Sequence, residues 1–209
     1  MKTNSLVAAA LLLLLAPGGA PGQMGGVTGV VERNGVPARD AVVSLHPATA
    51  GDAVSPAPSR AVIDQTSLRF VPGVVVVERG STVEFMNSDP IHNNVFSPGW
   101  SGEEFDLGTY PSGTSRSHTF IETGPHVILC HVHPEMAAYV VVVDTPHHGV
   151  TDGEGRFGIE EAPPGTYGLR VWQRGFPIAE AEVVVPPDGS GSLLVDLSGS
   201  GGIEVLVSR

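Results

Sequence analysis

Residues 70–87 read FVPGVVVVERGSTVEFMN, and this stretch decides the fold class. Its second half, TVEFMN at 82–87, places Val83 and Phe85 on one face, the period-two alternation of a half-buried strand. Its first half holds an unbroken VVVV at 74–77, and a matching run, YVVVVD, stands at 139–144. Short β-branched runs favour strands, and 27 glycines and 18 prolines in 209 residues supply tight turns rather than helices. The chain reads as all-β.

Around this stretch, residues 61–146 carry further short apolar runs in SHTFIE and HVILC. Five or more strands with long connections predict a Greek-key sandwich. Upstream, VTGVVERNGVPARDAVVSL from Val27 to Leu45 places strand-like stretches around Asn34-Gly35, a dipeptide suited to a two-residue hairpin. Residues 46–60, rich in Pro, Ala and Ser, read as a linker or long loop. Downstream, TDGEGRFGIEEAPPGTYGLRVW at 151–172 holds two strands around an APPG turn, with Tyr167, Leu169 and Val171 on one apolar face. LLVDL and the closing IEVLVSR supply further short strands.

Neither flank can bury a core by itself, since roughly thirty residues fall below the ~40 at which a domain needs outside help. The predicted organisation joins them into one sandwich with the central block inserted. Residues 23–52 give its first strands, 53–60 a linker, 61–146 the inserted sandwich and 147–209 the remainder.

The N-terminus reads as an address. Lys2 precedes an apolar run from Leu6 to Ala16, too short to span a bilayer, with Ala20 and Gly22 at −3 and −1 cleavage positions. Residues 1–22 are thus expected to be a signal peptide, with a mature chain beginning near Gln23 that is periplasmic or secreted and not inserted in a membrane. Beyond Lys2 the chain has ten arginines, no lysine and 22 acidic residues, a balance that argues against nucleic acid and anionic membrane surfaces as partners.

An exported chain with a single cysteine calls for an explanation, because cysteines in oxidising compartments usually pair. Cys130 stands in CHVHPEM, where His133 and Met136 follow at three-residue intervals. A thiolate, an imidazole and a thioether together select copper, and a Cys-His₂ site with a weak axial Met is the blue-copper arrangement. The second histidine must come from another loop, and His92 in NSDPIHNNVFSP is the best candidate. Taken singly, Cys130 would read as a small buried hydrophobe, Met136 as core filler and His92 as a turn residue after Pro90. Their joint spacing makes the site. Zinc seldom takes a thioether and its structural sites use more cysteines. A nucleophilic Cys-His pair finds no oxyanion motif.

His131 lies next to Cys130 and, by strand alternation, faces away from the metal, as a surface histidine or a proton-responsive one. His46, His118, His126 and the pair His147-His148 show no comparable partners and read as surface or strand residues. Glu103, Glu104 and Asp106, beside Trp100 and Phe105, read as a solvated acidic loop or a partner-docking rim.

FVPGVVVVERGSTVEFMNSDPIHNNVFSP followed by GPHVILCHVHPEMAAYVVVV resembles the cupredoxins, with the short C-x₂-H-x₂-M loop of amicyanin-like members. GVVERNGVPARDAVVSLHP with the 151–172 stretch resembles the carboxypeptidase-regulatory-like, transthyretin-like β-sandwich. HNNVFS and FDLGTY are similar to elements of methylamine-utilisation-type proteins that join both modules. The resemblance implies one copper ion held by His92, Cys130, His133 and axial Met136. It also implies an asparagine bridging the two ligand loops, with Asn93 and Asn94 both available because the spacing after the histidine is one longer than in HNV. The implied function is outer-sphere single-electron transfer between transient redox protein partners, with His133 as the electron port and no enzymatic activity. Copper storage or delivery uses the same donors and stays open. A multicopper oxidase would need more His-x-His pairs than His131-Val132-His133, and a copper-free interaction module would not need the complete donor set.

Overall fold

The computed structural model describes residues 25–49, 55, 57–100, 102–186, 190–198 and 202–208. The expected signal peptide and part of the linker lie outside them. Among the described residues every regular element is a strand, and the fold class is all-β. The first flank forms β1 (Gly25–Arg33), β2 (Val36–Pro37) and β3 (Val42–Pro47). The middle forms β4 (Arg60–Thr66), β5 (Arg69–Val71), β6 (Val74–Glu78), β7 (Thr82–Asn87), β8 (Asn93–Pro98), β9 (Glu104–Tyr110), β10 (Thr114–Thr119), β11 (Gly124–Leu129) and β12 (Ala137–Val143). The last flank forms β13 (His148–Val150), β14 (Arg156–Ala162), β15 (Gly165–Trp172), β16 (Ala179–Val185), β17 (Ser190–Ser198) and β18 (Gly202–Ser208).

Four sheets result. The flanks build β14-β1-β17-β18, with β2 on β1, and β13-β3-β15-β16. The middle builds β10-β7-β4-β5 and β6-β12-β11-β8-β9. Asn34 and Gly35 take φ of 51° and 75° and close the β1–β2 hairpin, the two positive values that a type I′ turn needs. The APPG turn joins β14 to β15 across two different sheets, because β14 pairs with β1 and β15 with β3.

One core joins Val31, Val43 and Leu45 of the first flank to Phe157, Leu169 and Val195 of the last. A second lies within the middle segment, around Ile63, Val83, Phe85, Phe120, Ile128 and Val140. A third, smaller cluster packs Val141 and Val143 against Val42 and Trp172. These clusters explain the valine runs. Val140 and Val142 face the second core while Val141 and Val143 face the third, so β12 is covered on both sides and needs no polar alternation. The VVVV stretch behaves likewise, with Val75 and Val77 turned one way and Val74 and Val76 the other.

The connection from β12 to β13 is lashed to β3: Thr145 Oγ1 donates to the Leu45 carbonyl at 2.7 Å, and the Leu45 N–H donates to the His147 carbonyl at 2.9 Å.

Tyr110 closes the second core at the end of β9. Its hydroxyl donates to the Phe85 carbonyl at 2.9 Å and accepts from Gln65 Nε2 at 2.5 Å. Burial pushes its phenol up to about 12. The folded state therefore keeps this proton longer than the unfolded one. The contribution is fully present below the ordinary value of 10 and is lost as pH rises through about 12, at about 1.4 kcal/mol per pH unit. Urea denaturation across that window is expected to show the decline, and Tyr110→Phe to remove it.

Candidate metal centre

Cys130 immediately follows β11, and the turn that leads from it into β12 carries the other two predicted donors of CHVHPEM. The Met136 N–H donates to the His133 carbonyl at 3.0 Å, so the chain doubles back within this turn. Cys130 and Met136 are buried in the second core, 3% and 1% exposed. His133 is half-buried, and its Nδ1 is enclosed without a hydrogen-bond partner. An imidazole nitrogen taken from water and left unpaired costs free energy, so its lone pair is free for a bond that no protein group makes.

The first ligand loop is fixed by amides. Asn87 Nδ2 donates to the carbonyls of Ile91 and Tyr110 at 2.9 and 3.1 Å. Asn93 Nδ2 donates to Asn87 Oδ1 and Asp89 Oδ2 at 3.3 and 3.0 Å. The bridging asparagine is Asn94. Its N–H lies 3.5 Å from Cys130 Sγ, its Oδ1 accepts the His131 N–H at 3.2 Å, and its Nδ2 donates to Asp106 Oδ1 at 2.7 Å. The extra residue thus leaves Asn93 stitching its own loop and gives Asn94 the tie to Cys130.

His92 stands apart. It is exposed, and among the described residues no three His, Cys, Asp or Glu side chains are gathered closely enough to hold a metal. The structure buries Cys130 and Met136 in one core and encloses His133 Nδ1. Among the described residues it does not gather His92, Cys130 and His133 into one group.

His131 is exposed, as alternation predicts, yet it has partners. Its ring stacks on Phe96 with centroids 3.6 Å apart and planes 9° apart, and its Nε2 lies 3.6 Å from Asp106 Oδ2. The Gly108 N–H, joined by the Asn94 amide and His131, holds the Asp106 carboxyl below its ordinary value.

The expectation of a solvated acidic loop is corrected at Glu103. Asp106 is exposed as expected, with its carboxylate joined to the Asn94 network, and Glu103 turns inward. Glu103 meets His118 Nε2 at 2.8 Å and accepts the N–H groups of Ile121 and Glu122. Glu104 stays exposed. Of the histidines read as surface or strand residues, His126 is a strand residue of β11 and fully buried, while His147 lies in the β12–β13 connection and is buried at 6% exposure. His126 Nδ1 accepts the Glu103 N–H at 3.0 Å, and its Nε2 lies 2.9 Å from the Glu122 carbonyl, so a neutral ring satisfies both. These partners sit in distant loops, where no local spacing announces them.

The donor set fits copper on its chemistry: two soft sulfurs and an unpaired imidazole nitrogen.

No protein-family model matches the chain, and no curated protein matches it. Among solved structures, a copper-containing nitrite reductase from Thermus scotoductus is 26% identical over 47% of this chain, with a TM-score of 0.38. This chain covers 25% of that protein's length. A purple cupredoxin from Nitrosopumilus maritimus is 23% identical over 40% of this chain and 99% of its own, with a TM-score of 0.36. The Cu(I) form of an amicyanin variant is 25% identical over 50% of this chain and 99% of its own, with a TM-score of 0.38.

Proposed function

We propose that this chain is an exported, periplasmic type 1 copper protein that passes single electrons between transient redox partners, with Cys130, His133, His92 and Met136 as the ligands of one ion. The organisation that goes with this reading is a cupredoxin unit over 61–146, set behind a linker at 53–60 into a regulatory-like sandwich made from 23–52 and 147–209. The observation that carries the reading is the unpaired, enclosed Nδ1 of His133 on the same short turn as two buried sulfur donors.

Bound there, copper would supply a Cu(I)/Cu(II) couple. The chain's own residues set its surroundings. Burial keeps water from Cys130 and Met136, and the Asn94 N–H lies 3.5 Å from Cys130 Sγ and ties the first ligand loop to the sulfur. His133 reaches the surface beside the exposed Val132 and Pro134, a small apolar rim of the kind that brief redox encounters use. Completing the site requires His92 to meet the donors of the CHVHPEM turn.

The test is to add Cu(II) to the purified protein and record its visible spectrum. An intense thiolate-to-copper band is expected, and Cys130→Ser should abolish it. A colourless protein that takes up zinc instead would sink the reading.

The exposure of His92 favours a second reading, Cu(I) storage or delivery, since Cys130, His133 and Met136 alone form a three-donor set suited to that ion. A reduced protein that yields Cu(I) readily to a chelator would support delivery, and reversible voltammetry would support electron transfer.

A further inference from the structure

β3 turns Val43 and Leu45 into the first core, so Ser44 and His46 project from its opposite face. There Ser44 Oγ lies 3.0 Å from His46 Nε2, and His46 Nδ1 lies 3.2 Å from Asp144 Oδ1. Asp144 stands one residue past β12. Arg170 is the cross-strand partner of Ser44 in the β3–β15 pair, and its Nε meets Glu180 at 2.8 Å. Ser44, His46, Asp144 and Arg170 line one cavity of about 200 Å³ that is walled by Trp172 and Ile178. Asp144 is remote from His46 along the chain, so the pairing emerges only in the fold.

This is the order of contacts that activates a serine: hydroxyl to one imidazole nitrogen, carboxylate to the other. With Nδ1–H donating to Asp144, Nε2 carries the lone pair that faces the Ser44 hydroxyl. Burial first, and then the Arg170 charge, lower the His46 pKa against the pull of Asp144 and Glu180, which keeps the ring neutral and able to accept a proton.

We propose that Ser44 is an acyl-accepting nucleophile, with His46 as its general base and Asp144 orienting the imidazole, in a site for small acyl esters. In the first half-reaction a bond forms from Ser44 Oγ to the ester carbonyl carbon while the Oγ proton passes to His46 Nε2. The ester C–O bond then breaks and the alcohol leaves with that proton. Water, deprotonated by His46, cleaves the Ser44 ester in the same way, releasing the carboxylic acid and restoring the hydroxyl. Arg170, opposite Ser44, is the cationic group that faces the developing oxyanion. A cavity of about 200 Å³ is smaller than the roughly 300 Å³ at which drug-sized sites begin, and Ser44 is only 4% exposed. Both limit the acyl group to a few carbons.

The test uses the full-length purified protein with diisopropyl fluorophosphate and p-nitrophenyl acetate. A phosphoryl adduct is expected on Ser44 in peptide mass spectra, together with acetate release that Ser44→Ala abolishes. His46→Gln should slow release about 100-fold or more. Asp144→Asn should slow it about 10-fold and move the acid limb of its pH profile, a change that lost packing alone would not produce. Wild-type protein that acquires no adduct at Ser44, or a folded Ser44→Ala variant with undiminished acetate release, overturns the proposal.

Discussion

Replacing Phe120 by alanine is expected to lower stability by about 3–5 kcal/mol. The ring is fully buried and lies edge-on to three neighbours: Phe105 at 5.7 Å, His118 at 4.8 Å and His126 at 5.0 Å. Its backbone is fixed on both sides, with the Phe120 N–H donating to the Ser81 carbonyl at 2.9 Å and its carbonyl accepting from Gly80 at 2.7 Å. The backbone therefore cannot close over the vacated volume, and a cavity that does not collapse costs the most. His118 and His126 also lose the aromatic edge between them while still holding Glu103. Urea denaturation followed by circular dichroism should show a lower midpoint at unchanged slope. A loss under 1 kcal/mol would mean that the surrounding rings refill the site.

Gly155→Ala is expected to cost about 2–5 kcal/mol, from two sources. Gly155 takes φ of +73°, where a side chain costs about 1–2 kcal/mol. A Cβ there would also stand 2.4 Å from the Val31 carbonyl oxygen. That oxygen cannot retreat, because Val31 bonds to both Gly155 and Ala38 and its strand is paired with β17 at Val195. Asp152 fixes the turn from the other side, accepting the N–H groups of Glu154 and Arg156 at 2.9 Å each. Gly35→Ala is the control: its φ is +75° but nothing lies within 4 Å of a Cβ. The difference in denaturation midpoint between the two variants isolates the clash, and equal losses would show that the β1 backbone yields.

What the sequence revealed follows from the range of each interaction. The alternation of TVEFMN and the Asn34-Gly35 turn are local, and both match the structure. The valine runs were legible as strands, but the reason they lack alternation, a sheet covered on both faces, depends on which elements meet. The CHVHPEM spacing is local too, and in the structure its two sulfurs are buried and the His133 imidazole half-buried. Asn94 was not separable from Asn93, because the choice depends on which amide the loop aims at the Cys130 strand. Glu103 reads as solvated in the sequence because its donors, the 121–122 backbone, come from another loop. His46 is the clearest case. Its neighbour Ser44 is two residues away, but the carboxylate that completes the relay arrives only when β12 lies across β3.

Residues 74–77 and 139–143 serve as a wall shared by two rooms. Cutting the middle segment out as a free-standing fragment would strip the cover from Val74, Val76, Tyr139, Val141 and Val143, which now pack together with Val42 and Trp172. The excised piece would keep its interior yet carry a naked aliphatic panel, the kind of surface that drives self-association. Its solubility is therefore borrowed from the flanks, and any minimal version needs that panel repainted with polar residues.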